Sequence, residues 1–259
     1  MKYMGSKARI ARHILPIILK DRKPDQWYVE PFVGGANTID KVDGLRLGAD
    51  ANKYLIAMYN LISVYGIPNH LIDIPKPIYS DARDQYNGRK EQILNDAHIG
   101  WVGYMASANG RFFDGGYSGK SKTKIGTVRD YIDESVRGIS KQLPLLKDIS
   151  FVFEQYDRLV IPPNSIVYCD IPYQGTKQYA SICKEFDYPK FWRWCRNMKA
   201  QGHTVFISEY NAPKDFVCVW SQEVKSSLSA NGKSGESKSS TEKLFVHESQ
   251  VESDYHSLY

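Results

Sequence analysis

The ten residues WYVEPFVGGA, at positions 27–36, give the strongest indication of the fold. The apolar and aromatic residues up to Val33 are typical of a short strand, and Gly34-Gly35 predicts a tight turn from which a helix begins at Ala36. Such a turn lets the backbone approach a ligand closely and can face an anionic group, although a glycine pair can equally be structural. The pattern is neither G-x-G-x-x-G nor a P-loop, so it does not support a nicotinamide dinucleotide.

The residues on either side of this turn predict alternating helices and strands. Strands are predicted over residues 27–33, 45–50, 149–153, 165–169 and 204–208, and an antiparallel pair over residues 222–229 and 243–247. Helices are predicted over residues 6–20, from residue 36, and over residues 53–64 and 191–198. This alternation is typical of an α/β sheet.

The length and composition are those of an ordinary globular protein. The chain has 259 residues, 42% of them hydrophobic and 24% charged, so it is not disordered, and one or two domains are expected. The net charge of +5 permits a polyanionic partner without requiring one. No apolar stretch approaches the roughly 20 residues that a membrane helix needs, and the four cysteines form no C-x-x-C pair. We therefore expect a cytoplasmic protein with no membrane contact and no metal.

A polar, glycine-rich and basic segment interrupts the predicted sheet between about residues 66 and 140. Between Arg111 and Arg129 it has five lysines or arginines and one acidic residue, Asp114. Basic and aromatic side chains on an exposed loop suit nucleic acid, because cations bind phosphate and rings stack on bases. A basic run can equally be a solvated surface.

Two acidic residues are expected at the carboxyl ends of strands, the edge at which open α/β sheets bind ligands. Asp50 ends the second strand, where its carboxylate can accept hydrogen bonds from both hydroxyls of a ribose or can cap the following helix. Asp170 begins the sequence D-I-P-Y, which ends at Tyr173. This segment puts an acceptor for an amine beside an aromatic face for a flat ring, although a simple turn with a buried tyrosine would have the same residues.

Five motifs in this order resemble those of Dam-type DNA adenine methyltransferases, the alpha-ordered D12 class that uses S-adenosylmethionine. They are K-x-x-G-x-K at residues 2–7, F-V-G-G at residues 32–35, the acidic strand end at Asp50, D-I-P-Y at residues 170–173, and a Ser/Asn/Gly segment leading into a strand at residues 226–245. The resemblance implies a Rossmann-like class I methyltransferase sheet with double-stranded DNA as the partner. It also implies a catalytic domain, residues 1–58 and 138–259, interrupted by a mostly helical target-recognition domain at residues 59–137.

The resemblance implies roles for the D-I-P-Y segment. Asp170 and the backbone carbonyl of Ile171 would accept hydrogen bonds from the N6 amine of adenine, and Tyr173 would stack on a base flipped out of the duplex. Together with Pro172 they form the candidate catalytic set. Ile171 stands where the family has its first proline, a change that removes a fixed φ and restores an N–H.

The resemblance also implies residues that bind S-adenosylmethionine and DNA. The candidate cofactor-binding residues are Tyr3, Lys7, Phe32, Gly34, Gly35, Asp50, Tyr156 and Asp170. Asp50 would hold the ribose, Lys7 the cofactor carboxylate and Tyr156 the adenine. The candidate DNA-binding residues are Arg111, Phe112, Phe113, Tyr117, Lys120, Lys122, Lys124, Arg129, Asn231 and Lys233. One of the three aromatic residues would insert between bases where the target leaves the stack.

Other interpretations stay open. Cytosine N4 is an alternative acceptor, although an acidic residue at Asp170 favours adenine, and a DNA-binding relative with weakened catalysis would fit the change at Ile171. An RNA substrate is less favoured because no RNP-like aromatic motif is present, and a small-molecule substrate would need no basic insert. The recognition sequence and an accompanying restriction enzyme are undetermined. A monomer is expected in solution, with assembly on DNA left open.

Overall fold

The computed structural model describes residues 1–122, 126–175, 186–225 and 239–251. The strands are β1 (Tyr28–Glu30), β2 (Arg46–Asp50), β3 (Lys120–Lys122), β4 (Val128–Asp130), β5 (Ile149–Phe153), β6 (Ile166–Asp170), β7 (Thr204–Ser208), β8 (Phe216–Lys225) and β9 (Ser239–His247). Seven of them form one sheet in the order β5-β2-β1-β6-β7-β9-β8, and β3 pairs with β4 in a separate hairpin. From β5 to β7 the strand pairs are parallel, whereas β9 is antiparallel to both of its neighbours.

Helices cover both faces of the main sheet. The α-helices in the described residues are α1 (Ala11–Ile18), α2 (Lys53–Tyr65), α3 (Lys76–Tyr86), α4 (Asp96–Met105), α5 (Tyr131–Leu146) and α6 (Tyr188–Ala200). Buried residues of α1, α2, α4 and α5 share one apolar core, and those of α6 belong to a second core on the opposite face. The predicted α/β architecture is confirmed.

The central strand β6 shows why the sheet needs both layers. Tyr168 lies in the core shared with α2, whereas its neighbours Val167 and Cys169 lie in the core of α6. Successive side chains of a strand point to opposite faces, so a continuous apolar run is stable only when both faces are covered. Asp170, the last residue of the strand, is the first that is not fully buried, and it therefore lies where the carboxyl ends of the strands reach the surface of the sheet.

The segment between β2 and β5 is mostly helical. Its buried residues, among them Tyr79, Trp101 and Phe112, continue the core that α2 forms with the sheet. The expected domain boundaries, at residues 58/59 and 137/138, fall inside α2 and α5. The division into two domains stays a prediction.

Most predicted strands are confirmed, and residues 149–153 and 204–208 are correct to the residue. The predicted antiparallel pair is β8 with β9, although β8 begins earlier than expected, at Phe216. The helix predicted from Ala36 is wrong: the chain forms turns and a short 3-10 helix, Ile39–Lys41. Ala36 has a φ of +52°, in the left-handed region that a right-handed helix excludes, and Gln142 of α5 donates hydrogen bonds to the carbonyls of Gly35 and Ala36 at 3.2 and 3.0 Å.

Candidate active site

The carboxyl ends of β1, β2, β6 and β7 meet at one edge of the sheet, because these strands are parallel and in register. This edge carries Asp50 at the end of β2 and Asp170 at the end of β6. The glycine turn follows β1, which lies between those two strands. Residues that are far apart in the chain are thus neighbours at the position where open α/β sheets bind ligands.

Asp50 ties the glycine turn to the end of β2. Its Oδ2 accepts a hydrogen bond from the backbone N–H of Gly34 at 3.1 Å, and its Oδ1 accepts one from the N–H of Asn52 at 2.9 Å. Loss of surrounding water raises the pKa of Asp50 to about 6, and these two hydrogen bonds oppose that rise. The interpretation of Asp50 as a helix cap is wrong, because the side chain of Asn52 caps α2.

The glycine turn is packed closely by the N-terminal segment. Gly34 has a φ of +45°, in the left-handed region that favours glycine. A Cβ atom at Gly35 would lie 2.6 Å from the Cβ of Tyr3 and 2.4 Å from the Nδ2 of Asn37. The turn and Tyr3 are therefore in direct contact, as expected if the N-terminal segment closes over a ligand beside the turn.

An aromatic cluster lies beside the ends of β1 and β5. The rings of Phe32 and Tyr156 stack with their centroids 5.3 Å apart, and Tyr156 meets Trp194 of α6 edge to face at 5.2 Å. Both Phe32 and Tyr156 are half-buried. The exposed part of these rings offers an apolar wall for a flat heterocycle.

Lys7 lies against the D-I-P-Y segment. Its Nζ is 2.8 Å from the Oδ1 of Asp170 and 3.9 Å from the Oε2 of Glu242, and the side chain is only 8% exposed. Burial disfavours its charge, but the two carboxylates outweigh that effect, so the pKa of Lys7 is raised above its ordinary value. The contact of Lys7 with a cofactor carboxylate stays a prediction; the structure places its Nζ beside the carboxylate of Asp170.

The carboxyl of Asp170 is under opposing influences. Removal of water raises its pKa, the ammonium of Lys7 lowers it by charge and by hydrogen bonding, and the carboxylate of Glu242 raises it again. The net direction is upward. Lys7 is therefore the group that favours ionisation of Asp170.

Tyr173 is held on several sides. Its hydroxyl donates a hydrogen bond to the Oε2 of Glu242 at 2.8 Å, and the Nζ of Lys7 lies 4.4 Å from the centre of its ring. Tyr210 contacts it edge to face, with centroids 4.6 Å apart. Tyr173 is only 8% exposed, so a base can stack on its ring only after a covering group such as Lys7 moves.

The two residues between Asp170 and Tyr173 are anchored differently. Ile171 is 3% exposed, and its side chain belongs to the core that α6 forms with the sheet. The carbonyl of Pro172 accepts a hydrogen bond from the hydroxyl of Tyr188 at 2.9 Å. The side chain of Ile171 therefore stabilises the strand end, and only its backbone is available to a substrate.

Three acidic residues near this edge were not singled out from the sequence: Glu30 and Glu209, which are buried, and Glu242, which is half-buried. Glu30 accepts a hydrogen bond from the hydroxyl of Tyr28, and burial raises its pKa well above the ordinary value despite that bond. Glu209, 1% exposed, accepts hydrogen bonds from the backbone N–H groups of Gln174 and Tyr210. Glu242 binds Tyr173 and Lys7. Glu30 lies within the stretch quoted for the fold, but nothing in the local sequence around Glu242 indicates its role.

The basic residues expected to bind DNA lie on the β3–β4 hairpin and its surroundings. Lys120 and Lys122 are exposed on β3. Arg129 of β4 binds Glu134, and hydrogen bonds from Arg129 and Lys2 lower the pKa of Glu134 to about 2. The candidates Lys124, Asn231 and Lys233 lie outside the described residues.

The aromatic residues expected to insert into DNA require a correction. Phe112 is fully buried and Phe113 is 8% exposed. The ring of Phe112 contacts Tyr54, Tyr86 and Tyr104, with centroids 4.8 to 5.8 Å apart. These two phenylalanines form the core of the insert, because a ring enclosed by other rings is stabilised by burial and is not accessible to DNA.

Tyr117 is half-buried, and its hydroxyl donates to the carbonyl of Ile74 at 2.9 Å. Arg111 is also half-buried.

Comparison with known proteins identifies the class. The family model for D12 class N6 adenine-specific DNA methyltransferases matches residues 3–214, most of the chain. The protein therefore belongs to this family, has its Rossmann-like methyltransferase fold, and is an adenine-specific DNA methyltransferase. The match ends immediately before β8, so the β8–β9 hairpin lies beyond it.

A solved structure and a search of curated proteins complete the comparison. The chain is similar to the rRNA methyltransferase AviRa from Streptomyces viridochromogenes, with a TM-score of 0.40 and 8% sequence identity, over 97% of this chain and 89% of that one. No curated protein matches the sequence. Among the described residues, no helix is long and apolar enough to cross a membrane, and no cluster of His, Cys, Asp or Glu could hold a metal ion.

Proposed function

We propose that the protein transfers a methyl group from S-adenosylmethionine to the N6 amine of an adenine that is flipped out of a specific duplex DNA sequence. The observation that carries this proposal is the meeting of Asp170 and Tyr173 at the same sheet edge as Asp50 and the glycine turn. An acceptor for an amine, a stacking surface and an acceptor for a ribose are thereby close together.

The residues around the glycine turn fit S-adenosylmethionine. Asp50 has two carboxylate oxygens, each with further acceptor capacity, at the strand end where a ribose diol can reach them. A Cβ atom at Gly35 would overlap Tyr3, so the turn has space only for glycine. The half-buried Phe32 and Tyr156 provide the wall for an adenine ring. When bound, the cofactor supplies an electrophilic methyl group on a positively charged sulfur.

The methyl transfer requires little covalent chemistry from the protein. Asp170 and the carbonyl of Ile171 accept hydrogen bonds from the amine, which holds its lone pair out of the ring and directs it toward the methyl carbon. When bound, S-adenosylmethionine would supply the methyl carbon to the amine nitrogen, and its sulfur would leave as a neutral thioether. The proton that the amine loses would pass to solvent water. Positioning and electrostatics account for the rate, and no covalent enzyme intermediate is required.

Lys7 must make room for the amine at Asp170. It already binds Oδ1 of that carboxylate, and its ammonium covers part of the ring of Tyr173. An arriving base amine either uses Oδ2 or displaces Lys7 from Oδ1. In both cases the positive charge of Lys7 favours the ionised form of Asp170, and an ionised carboxylate is the stronger acceptor.

DNA binding is proposed for the insert, and within it for the β3–β4 hairpin. Lys120 and Lys122 are exposed at the β3–β4 hairpin, where they can bind phosphates. Phosphate contacts give affinity, whereas a few contacts with base edges give sequence specificity. The target sequence is therefore expected to depend on side chains of the insert.

The proposal is tested by incubating the protein with unmethylated genomic DNA and labelled S-adenosylmethionine, followed by digestion and mass spectrometry of the nucleosides. The expected product is N6-methyl-2′-deoxyadenosine from the wild type and none from Asp170→Ala. An N4-methylcytosine peak would overturn the choice of base. Binding of both DNA and cofactor without any product would support the alternative that the protein is a DNA-binding relative whose catalysis is weakened by Ile171.

A further inference from the structure

We propose that Glu242, which lies beyond the part of the chain that matches the family, is a positioning residue of the methyl-transfer site. It fixes the ring of Tyr173, and it binds Lys7 when the base amine replaces Lys7 on Asp170. The inference rests on the proposed function, because it concerns how the same site admits the target base.

The sheet register explains how a residue of β9 reaches this site. Ser208 at the end of β7 is paired with Asp170 on one side and with Leu244 on the other. Glu242 lies two residues before Leu244, so it extends past the end of β7 and points to the same face as Leu244. That face is the one on which Tyr168, two residues before Asp170, is buried. Asp170 and Glu242 therefore project on the same side of the sheet edge, with Lys7 between them.

The contacts of Glu242 are specific. Its Oε2 accepts the hydrogen bond of the Tyr173 hydroxyl at 2.8 Å and lies 3.9 Å from the Nζ of Lys7. Its side chain is 15% exposed, less than that of Asp170 at 25%. A hydrogen bond to a charged and partly buried acceptor restricts the tyrosine ring more strongly than packing alone.

The charges of Lys7, Asp170 and Glu242 explain why Glu242 must also be able to bind Lys7. Two carboxylates share a single ammonium, and Lys7 is closer to Asp170 than to Glu242. If a base amine takes the place of Lys7 on Asp170, a buried ammonium without a partner would be costly. Glu242 is near enough to accept Lys7 after a small movement of its flexible side chain. The lysine then remains paired and both carboxylates keep a donor.

The test is a double-mutant cycle between Lys7 and Glu242, with methylation of unmethylated genomic DNA measured under single-turnover conditions. Glu242→Gln keeps the size of the side chain and an acceptor for Tyr173 but removes the charge that receives Lys7. We expect it to lower the transfer rate about tenfold, with DNA and S-adenosylmethionine affinities changed less than about twofold. In a Lys7→Ala background, the same substitution is expected to change the rate less than about twofold, because no ammonium needs to move.

Three further variants complete the experiment. Glu223→Gln is the matched control, since Glu223 is an exposed acid on the neighbouring strand β8, and it is expected to behave as the wild type. Glu242→Asp keeps the charge and should recover part of the lost rate. Tyr173→Phe removes only the hydroxyl that Glu242 binds, and it tests the other contact even if a Glu242 variant fails to fold. We expect it to slow transfer several-fold.

The outcomes separate this inference from the proposed function. If Glu242→Gln is as active as Glu223→Gln, or if it loses the same factor with and without Lys7, the inference is wrong while the methyltransferase activity stands. Full activity of Tyr173→Phe would remove the role of the hydrogen bond. If the wild type produces no N6-methyl-2′-deoxyadenosine, the proposed function fails first.

Discussion

The Nζ of Lys7 lies 2.8 Å from the Oδ1 of Asp170, so Lys7 is the counter-ion of the proposed catalytic aspartate. The pair joins the segment before α1 to the end of β6. Because Lys7 is nearly buried, its charge acts on Asp170 with little screening by water. The N-terminal segment is thus part of the candidate active site as well as a neighbour of the glycine turn.

Replacing Asp170 separates chemistry from binding. We expect Asp170→Ala to lower the rate of methyl transfer at least 100-fold, since it removes an acceptor aimed at the reacting amine. DNA affinity, measured by mobility shift, should change little, because phosphate contacts dominate it. The matched control is Asp25→Ala, an exposed acid before β1 that should leave the rate unchanged. Transfer by Asp170→Ala at the wild-type rate would contradict the assigned site.

The pKa of Asp50 predicts a pH dependence of cofactor binding. Because this pKa is raised to about 6, the carboxylate becomes protonated as the pH falls through 6 and loses acceptor capacity for the ribose. We expect the affinity for S-adenosylmethionine, measured by calorimetry, to fall between pH 7 and pH 5. In Asp50→Asn this dependence should disappear and the affinity should be low throughout.

The same shift has the opposite sign for folding in the absence of cofactor. A carboxyl whose pKa is higher in the folded than in the unfolded state binds protons more strongly when folded. The contribution of Asp50 to the free energy of unfolding therefore increases as the pH falls from about 6 toward 3.8, the ordinary pKa of an aspartate in an unfolded chain. Cofactor affinity that is constant from pH 5 to pH 7 would argue against Asp50 as the ribose ligand.

A methyl group at Gly35 should disturb both the fold and the cofactor site. The Cβ of Gly35→Ala would lie 2.4 Å from Asn37 and 2.6 Å from Tyr3, so the N-terminal segment must shift. We expect a loss of about 1–3 kcal/mol in the free energy of unfolding, together with weaker cofactor binding.

Gly138 of α5 provides the control for this substitution. A Cβ there would meet no atom within 4 Å, and the residue lies inside a helix. Gly138→Ala should therefore stabilise the protein by about 0.4–1 kcal/mol and leave cofactor affinity unchanged. Equal effects of the two substitutions in thermal unfolding would contradict the close contact of Tyr3 with the turn.

Removing the exposed lysines of β3 should flatten the salt dependence of DNA binding. If Lys120 and Lys122 each neutralise one phosphate, their joint replacement by alanine lowers the slope of log affinity against log salt by about 1.8. Arg193 and Lys199 of α6, on the other side of the sheet, supply a control pair of the same charge. A slope that is unchanged in the Lys120/Lys122 variant would place the DNA elsewhere.

The side chain of Ile171 is expected to matter for stability and not for transfer. It is packed in the core with α6, and only its carbonyl faces the reaction in the proposed mechanism. Ile171→Val should cost about 0.5–1.5 kcal/mol in unfolding free energy while the rate of transfer stays within about twofold of the wild type. A large loss of rate with little loss of stability would mean that the side chain itself contacts the substrate.

Much of the sheet could be predicted because its strands are short apolar runs bounded by polar turns. Residues 149–153 and 204–208 are of this kind, and both predictions are correct. The helix expected from Ala36 is absent because that residue adopts a left-handed φ of +52°, in a turn whose carbonyls at Gly35 and Ala36 bind Gln142 of α5. The prediction that Phe112 or Phe113 inserts into DNA is wrong because the surrounding aromatic residues enclose those rings. Neither neighbour is visible in the local sequence.

The sequence by itself determined the order of the motifs, the strand ends that carry Asp50 and Asp170, and hence the edge at which the site lies. Local residue patterns are sufficient for this, since strand periodicity and turn residues act over a few positions. The tertiary structure alone decided which charges meet: Lys7 with Asp170, and Glu242 with Tyr173. Those contacts depend on the register of β9 beside β7 and on the path of the N-terminal segment. Both features are set by packing between distant parts of the chain, so no local sequence pattern predicts them.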